Sequence, residues 1–343
     1  MTDQDVSGLN IGVVGAGSWG TALANLLALK GYVVDWWVFE RDICEQLHET
    51  NENSVYLPGV VLSENLRPTN QLSKAVAGKD MVLIVVPSHV MRIVTERMSP
   101  DVKEGTILVS ASKGIENDTL LTMSGVIRET VNGIGDGQLA VLSGPSFAKE
   151  VARGLPSVVT VASKDDACGQ LVQHVFATPA FRVYTNTDVM GVELGGSVKN
   201  VIAIAAGMID GLGLGLNTRA ALITRGMTEI RRLGLAMGAQ PRTFTGLAGF
   251  GDLVLTCTGT LSRNHTVGLK IGQGMKLKDV LADMRMVAEG VKTARSVFNL
   301  SRRLEVDMPI SHAIYYILHE DLSPRDAVHQ LMTRELKSEL DDE

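Results

Sequence analysis

A lysine on an otherwise apolar helical segment is the strongest candidate for chemistry in this chain of 343 residues. Aliphatic residues recur there at helical spacing, at Val198, Val201, Ile202, Ala205 and Ile209. Lys199 lies on the other face with small residues, Ala203, Ala206 and Gly207, which let another backbone or a flat cofactor ring approach. A lysine ammonium donates a proton at neutral pH, and it accepts one readily only if burial or a nearby cation such as Lys113 lowers its pKa. We therefore interpret Lys199 as a functional lysine; the alternative is a solvated lysine, which would more often have polar neighbours at these positions.

A second cluster, downstream of Lys199, has the residue types that bind an anion. Ser262 is predicted to be the N-cap of a helix, which puts Arg263 and Asn264 in its first turn. A guanidinium, an amide and the free N–H groups of a helix start together suit a phosphate, and a solvent-facing helix start is the alternative. The glycine-rich segment 246–251 leads into Asp252, whose carboxylate can accept a hydrogen bond from a lysine or a substrate hydroxyl.

Polar residues also follow two predicted strands, at 107–110 and 139–142. In a doubly wound sheet, residues beyond the carboxyl ends of the strands face the ligand crevice. Lys113 could hold a substrate there, and the turn at Gly144 with the hydroxyl of Ser146 could present backbone N–H groups to a ligand. A solvated surface lysine and an ordinary capped turn are the alternatives.

The spacing Gly15-x-Gly17-x-x-Gly20 matches the dinucleotide fingerprint, and it follows a short apolar run and opens an Ala- and Leu-rich helix. The first glycine permits the tight turn, the second lets the backbone approach a pyrophosphate, and the third allows close packing of helix and strand. Glu40 ends the next strand, where an acid commonly accepts the adenosine ribose hydroxyls. Its carboxylate favours NAD over NADP, but the neighbouring Arg41 could reverse that preference, which leaves the choice of cofactor open.

The elements that must position these residues alternate between strand and helix in the first half of the chain. Strands are predicted at 9–14, 33–39, 81–86, 107–110, 139–142, 158–162 and 181–184. Alternation of this kind predicts an α/β fold with an N-terminal Rossmann-type, doubly wound parallel sheet. After about residue 190 the pattern becomes helical, with segments at 218–238, 263–274, 290–304, 310–320 and 324–335. We therefore predict a dinucleotide-binding domain at 1–190 and an all-helical substrate-binding and catalytic domain at 191–343.

The composition argues against several classes of protein. Lysines and arginines number 32 against 38 acidic residues, so a broad basic surface for nucleic acid is not expected. The three cysteines lie far apart, which predicts neither a disulfide framework nor a metal site and fits a reducing compartment. The polar N-terminus predicts no signal peptide, and we expect no membrane span.

Several other residues are interpreted as structural. His89, His265 and His312 have no obvious carboxylate partner and no metal-ligand spacing, so none is expected to be a catalyst. Cys257 is predicted to fill the core. The repeated glycines of 211–215 are most simply a flexible connection.

Taken together, these motifs closely resemble the NAD(P)-dependent glycerol-3-phosphate dehydrogenases. The similarity runs in the family's order through Ile11–Leu23, Lys113–Ile115, Gly144–Ala148, Gly196–Ala203, Gly249–Leu253, Ser262–Asn264 and Val287–Gly290. Two departures are visible: Ser197 stands where the family usually carries Ala or Thr, and the stretch 38–41 departs from the pattern in which some members use a His or Arg near the ribose.

The resemblance implies reversible reduction of dihydroxyacetone phosphate to sn-glycerol 3-phosphate with NAD or NADP, in a cytoplasmic and often dimeric enzyme whose product feeds phospholipid synthesis. It implies that Lys199 exchanges the proton at the substrate oxygen. It implies substrate contacts at Lys113, Gly144, Ser146, Lys199, Asp252, Ser262, Arg263 and Asn264. It implies cofactor contacts at Ser18, Trp19, Lys113, Ala148, Arg263, Val287 and Glu289, beside Gly15, Gly17, Gly20 and Glu40 of the fingerprint.

Two rival hypotheses remain open. A dehydrogenase of the β-hydroxyacid type also places a lysine on the helix after its Rossmann domain, and it would bind a carboxylate instead of a phosphate. A catalytically silent, nucleotide-sensing protein would keep the fold, although the presence of both Lys199 and Asp252 argues against it.

Overall fold

The computed structural model describes residues 8–284, 287–336 and 338–339. The chain divides into two compact units. The first comprises residues 1–113 and 121–193, and the second comprises residues 114–120 and 194–343. The domain boundary predicted at residue 190 stays a prediction; by compactness the division falls after Glu193, and a short segment beginning at Gly114 groups with the second unit.

The first unit is an eight-stranded sheet flanked by helices, which confirms the predicted α/β class. Its strands are β1 Ile11–Val14, β2 Val34–Trp37, β3 Leu66–Thr69, β4 Met81–Ile84, β5 Ile107–Ser110, β6 Leu139–Ser143, β7 Ser157–Ala162 and β8 Phe181–Asn186. Its helices are α1 Ser18–Leu29, α2 Arg41–Thr50, α3 Leu72–Val76, α4 Met91–Met98, α5 Met123–Thr130, α6 Ala148–Ala152 and α7 Asp166–Phe176. The spatial order β3-β2-β1-β4-β5-β6-β7-β8 puts a topological switch point between β1 and β4, where nucleotides bind in doubly wound sheets.

The central strands β1, β4 and β6 are buried on both faces, whereas the edge strands β3 and β8 are partly exposed. In β1, Ile11 and Val13 pack into one core cluster and Val14 packs into the other. Continuous apolar runs such as those of β1 and β4 arise because helices cover both sides of a parallel sheet.

Two features of the sheet differ from the predictions. The expectation of an all-parallel sheet is wrong for the last two strands, since β7 runs antiparallel to β6 and β8 runs parallel to β7. The β6–β7 connection contains only the five-residue helix α6, which is too short to return along the sheet. The strand β3 was not predicted, because its sequence Leu-Arg-Pro-Thr carries a charge and a proline, which an edge strand tolerates.

The second unit is helical among the residues that the structure describes, as predicted. The helix α8 Val189–Leu212 begins before the unit boundary. The other helices are α9 Gly215–Ala236, α10 Asp252–Thr258, α11 Arg263–Gly272, α12 Leu277–Ala282, α13 Glu289–Arg303, α14 Pro309–His319 and α15 Pro324–Met332. By length and composition alone, α8 is long and apolar enough to cross a membrane. Its apolar window is entirely buried in protein, which is typical of a core helix.

Glycines bring α8 and α11 into backbone contact. A Cβ added to Gly207 would lie 2.0 Å from the carbonyl oxygen of His265, and one added to Gly268 would lie 1.9 Å from that of Ile204. Gly211 and Gly272 make the next pair of contacts one turn further along both helices. The helices therefore run in the same direction, and the small face below Lys199 admits another backbone. The interpretation of 211–215 as a flexible connection is wrong for three of its residues, since Gly211 and Leu212 belong to α8 and Gly215 begins α9.

A buried glutamate caps a helix in each unit. In the first, Glu193 accepts hydrogen bonds from the backbone N–H and the hydroxyl of Ser124, at the start of α5. In the second, Glu229 accepts from the backbone N–H of Ile310 at 2.6 Å and of Ser311 at 2.9 Å, at the start of α14. Burial raises the pKa of both carboxyl groups, that of Glu229 to about 7.

Candidate functional site

The glycine turn of the first unit has the shape that a dinucleotide requires. Gly15 has a φ of +116°, and a Cβ there would lie 2.4 Å from the carbonyl oxygen of Val85. A Cβ on Gly20 would lie 2.3 Å from the carbonyl oxygen of Gly15. A Cβ on Gly17 would meet no described atom within 4 Å, so it would project into the space in front of the turn. The first and third glycines thus serve packing, and the second keeps the approach to the α1 N-terminus open.

Side chains next to this turn also suit the cofactor. Trp19 lies in the first turn of α1, and its buried indole N–H has no hydrogen-bond partner among the described residues. A buried donor beside an open helix N-terminus is typical of a site that a polar ligand completes. Ala148 begins α6, which packs against α1. These residues fit a nicotinamide dinucleotide.

Side chains of a segment that the sequence analysis did not identify, residues 53–56, form hydrogen bonds to the glycine turn and to Glu40. The side chain of Asn53 donates to the carbonyl oxygen of Ala16 at 2.9 Å, and the hydroxyl of Ser18 donates to the carbonyl oxygen of Tyr56 at 2.6 Å. The hydroxyl of Tyr56 in turn donates to Glu40 at 2.8 Å. Burial and the neighbouring Glu40 raise the pKa of Tyr56 to about 12, which keeps it a donor. These contacts span 16 to 38 residues and follow no local pattern.

The two polar segments after β5 and β6 meet, because the carboxyl ends of these adjacent parallel strands lie at one edge of the sheet. The amine of Lys113 donates to the carbonyl oxygen of Gly144 at 3.4 Å, and the hydroxyl of Ser146 donates to the same oxygen at 2.9 Å. Gly144 has a φ of +144°, and a Cβ there would lie 2.9 Å from the Cα of Val159. A side chain at this position would disrupt the cluster.

The centre of the second unit is a buried ion pair. Lys199 and Asp252 are 5% and 1% exposed, and the lysine amine donates to the Asp252 carboxylate. The amine also donates to the hydroxyl of Thr256 at 2.7 Å. Asp252 and Thr256 are four residues apart on one face of α10, a spacing from which Thr256 could have been predicted. Removing either charge would take the ion-pair partner away from the other in the interior, which is costly for a buried pair.

The predicted anion cluster has the expected local structure. The hydroxyl of Ser262 caps α11 by accepting from the backbone N–H of His265, and Arg263 and Asn264 occupy the first turn. The amide of Asn264 donates to the side chain of Asn200 at 2.9 Å and accepts from the backbone N–H of Gly290 at 2.9 Å. Asn200 adjoins Lys199, so this contact ties the start of α11 to the lysine helix.

The remaining predicted cofactor contacts also lie near this turn in the second unit. Glu289 begins α13, and its carboxylate interacts electrostatically with the Arg263 guanidinium. Val287, two residues earlier, is 37% exposed. The structure therefore groups Glu289 with the anion cluster, and Val287 precedes it by two residues.

The residues that the sequence analysis interpreted as structural have different surroundings. Burial raises the pKa of the Cys257 thiol to about 12, which agrees with a core role. The expectation that His265 lacks a carboxylate partner is wrong, since its Nε2 lies 2.8 Å from a carboxylate oxygen of Asp210. The ring of His312 lies 2.7 Å from the hydroxyl of Ser301. No sequence pattern joins Asp210 to His265, because they are 55 residues apart.

Comparison with known proteins accounts for this combination of sites. Two family models match: the N-terminal domain of NAD-dependent glycerol-3-phosphate dehydrogenase over residues 10–169, and its C-terminal domain over residues 188–329. The chain is 59% identical to the glycerol-3-phosphate dehydrogenase [NAD(P)+] of Geobacter sulfurreducens, over 96% of this chain and 98% of that protein. It is 55% identical to that of Syntrophobacter fumaroxidans, over 96% and 97%.

A solved structure gives the same result. The crystal structure of glycerol-3-phosphate dehydrogenase from Coxiella burnetii superposes with a TM-score of 0.91 at 41% identity, over 95% of this chain and 99% of that chain. Both halves of the chain, the glycine turn and the lysine-bearing helical unit, are covered by these matches. The chain belongs to the NAD-dependent glycerol-3-phosphate dehydrogenase family.

Proposed function

We propose that this chain catalyses the reversible reduction of dihydroxyacetone phosphate to sn-glycerol 3-phosphate with NADH or NADPH. The observation that carries the proposal is the buried Lys199 ammonium on a helix that packs directly against the helix bearing Arg263 and Asn264. A proton donor and an anion site on two adjoining helices suit a small substrate that has a carbonyl oxygen at one end and a phosphate at the other.

The first unit would bind the cofactor. The open space at Gly17 and the N-terminus of α1 suit the pyrophosphate, and Ser18 and Trp19 stand in the same turn. Glu40 would accept the ribose hydroxyls, with Ala148, Val287 and Glu289 as the further cofactor contacts that the family resemblance implies. When bound, the nicotinamide supplies the hydride for the reduction.

Lys199 would supply the proton. During reduction, negative charge grows on the ketone oxygen, and an ammonium group stabilises that charge and then donates a proton to the oxygen. Asp252 favours the charged form of the amine before the reaction, since an opposite charge at hydrogen-bond distance stabilises an ammonium. In the reverse direction, the amine would accept the proton from the alcohol. Asp252 and Thr256 together fix the direction in which the amine points.

The anion cluster would hold the phosphate. Arg263 can pair with two phosphate oxygens, and the first-turn N–H groups of α11 add a helix N-terminus. Binding of this non-reacting group would orient the carbonyl for reaction. Lys113, Gly144 and Ser146 are the further substrate contacts in this proposal, with Lys113 and Arg263 also contacting the cofactor.

For the cofactor we propose a preference for NADH. Glu40 is held by Tyr56, which leaves a fixed negative charge where NADPH would place its 2′-phosphate. Arg41 begins α2 and is exposed to solvent, so it competes weakly with this charge.

A spectrophotometric assay of NADH oxidation tests the proposal. We expect turnover with dihydroxyacetone phosphate and none with small 3-oxo acids, and Arg263→Ala should raise KM for the phosphorylated substrate with a smaller effect on kcat. Preferential turnover of the acids would favour the β-hydroxyacid rival. Binding of NADH without turnover of any keto or hydroxy substrate would favour the nucleotide-sensing rival.

We also propose that the enzyme acts as a cytoplasmic homodimer and supplies glycerol 3-phosphate for phospholipid synthesis. The family resemblance supports all three statements. Light scattering on the purified chain measures the oligomeric state, and a monomeric mass at micromolar concentration would contradict the dimer.

A further inference from the structure

The first turn of α11 is held by a charged network that the proposed chemistry does not use. The His265 ring nitrogen lies 2.8 Å from a carboxylate oxygen of Asp210, and the Arg219 guanidinium donates to the same oxygen at 2.8 Å. The side chains of Asp210, Arg219 and His265 are 21%, 26% and 15% exposed. Three helices therefore converge here, since Asp210 lies on α8, Arg219 on α9 and His265 on α11.

We propose that Asp210 and His265 are positioning residues for the phosphate group of the substrate. Asp210, anchored by Arg219, holds the ring of His265 and thereby fixes the helical turn from which Ser262, Arg263 and Asn264 act. The inference rests on the proposed function, because it assigns these residues to the same phosphate site.

The place of His265 in the helix explains how the network reaches that site. Its backbone N–H donates to the hydroxyl of Ser262, which makes His265 part of the N-cap itself. Arg263 is two residues earlier on the same turn. The first turn is the least restrained part of a helix, because its N–H groups have no acceptor within the helix. A side chain clamped at this turn therefore restrains the direction of the groups that bind the anion.

The other contacts between α8 and α11 show what the network adds. Gly207 and Gly268 fix the distance between the helices, and the Asn200–Asn264 bond fixes the side of α11 that faces Lys199. The Asn200–Asn264 bond restrains the first turn at one side chain. His265 adds a second restraint at the next residue, because its ring reaches Asp210, ten residues beyond Asn200 on α8.

The test is a comparison of two substrates, dihydroxyacetone phosphate and dihydroxyacetone, which lacks the phosphate. For Asp210→Ala we expect kcat/KM for the phosphorylated substrate to fall about tenfold, mainly through KM, as is typical for loss of a hydrogen bond to a charged group. We expect kcat/KM for dihydroxyacetone to stay unchanged. A purely structural role would lower both values together. Asp283→Ala is the matched control, because Asp283 pairs with Lys270 in the last turn of α11.

Two further variants keep the proposal falsifiable if Asp210→Ala folds poorly. His265→Ala should lower kcat/KM for dihydroxyacetone phosphate as Asp210→Ala does. His265→Gln should retain most of the wild-type value, because the glutamine amide N–H can replace the ring donor. Equal loss for both His265 variants, or an equal loss with both substrates, would overturn the proposal.

Binding of inorganic phosphate to the protein without substrate, measured by calorimetry, separates the two proposals. If the wild type reduces neither substrate, the proposed function fails, yet a weaker phosphate affinity in Asp210→Ala still supports the positioning role. Equal phosphate affinity in Asp210→Ala and the wild type contradicts the role, whatever the enzyme turns over.

Discussion

The two units build their candidate sites from different materials. In the first unit, the approach to the cofactor is shaped by backbone: glycines without side chains, a helix N-terminus and strand ends. In the second unit, the central site is made of side-chain charge, with a lysine and an aspartate paired at 5% and 1% exposure. The first site should therefore be sensitive to added volume, and the second should be sensitive to lost charge.

The largest effect is expected for the charge in the second unit. Lys199→Ala should lower kcat by about a hundredfold to ten-thousandfold, because general acid catalysis contributes this much. Cofactor affinity, measured by NADH fluorescence, should persist. Lys270→Ala, a change of a more exposed lysine on α11, serves as the control. Since Lys199→Ala removes the cation beside the buried Asp252, its folding is checked by thermal denaturation, and the double variant with Asp252→Asn replaces it if it unfolds. A kcat within a factor of a few of the wild type would remove Lys199 from the chemistry.

In the first unit, the corresponding test adds a methyl group to a glycine of the turn. Gly17→Ala should weaken NADH binding about tenfold to a hundredfold, as expected for loss of one or two hydrogen bonds to a charged group. Its thermal stability should be unchanged, because the added methyl meets no described atom. Gly15→Ala should instead destabilise the fold by at least about 2 kcal/mol, since that methyl would overlap the backbone of Val85. Gly8→Ala, also in open space, is the control. Equal NADH affinity in Gly17→Ala and the wild type would contradict the role of the second glycine.

In the first unit, the charge of Glu40 should affect the choice between NADH and NADPH. Glu40→Gln should shift the ratio of kcat/KM for NADH over NADPH toward NADPH, because the repulsion of the 2′-phosphate is removed. Tyr56→Phe should shift the ratio in the same direction by about threefold to tenfold, since it removes one hydrogen bond to a carboxylate. Initial rates with both cofactors give the ratio. A ratio that favours NADPH in the wild type would contradict the proposed preference for NADH.

The last prediction concerns neither site but the pH dependence of stability, through the buried Glu229. Its pKa of about 7 lies above the ordinary value, so the folded protein holds a proton that the unfolded chain releases near pH 4.5. This contribution to the free energy of unfolding is fully present below about pH 4.5 and is lost as the pH rises through about 7, by roughly 3 kcal/mol. Urea unfolding at pH 5.5 and pH 8 should show a smaller difference for Glu229→Gln than for the wild type. An identical pH dependence in both proteins would exclude Glu229 as its source.

Short-range signals predicted much of this molecule. Ser262 was identified as an N-cap because a capping hydroxyl and its helix are adjacent in sequence, and the small residues near Lys199 correctly indicated a close backbone approach. The missed partners, Tyr56 for Glu40 and Asp210 for His265, are brought together by loops and helix packing. Sequence periodicity carries no information about such contacts. The reversal of β7 was missed because the length of α6, and not the pattern of the strand, decides its direction.

Four glycines place the backbones of α8 and α11 against each other, so the two helices pack at close separation. Lys199 and Arg263 are therefore carried by one closely packed pair of helices. The packing would then set the distance between the Lys199 amine and the Arg263 guanidinium. A substrate one carbon longer or shorter could not contact both groups at once. Selectivity for chain length would then be built into the helix packing itself, at positions that never touch the substrate.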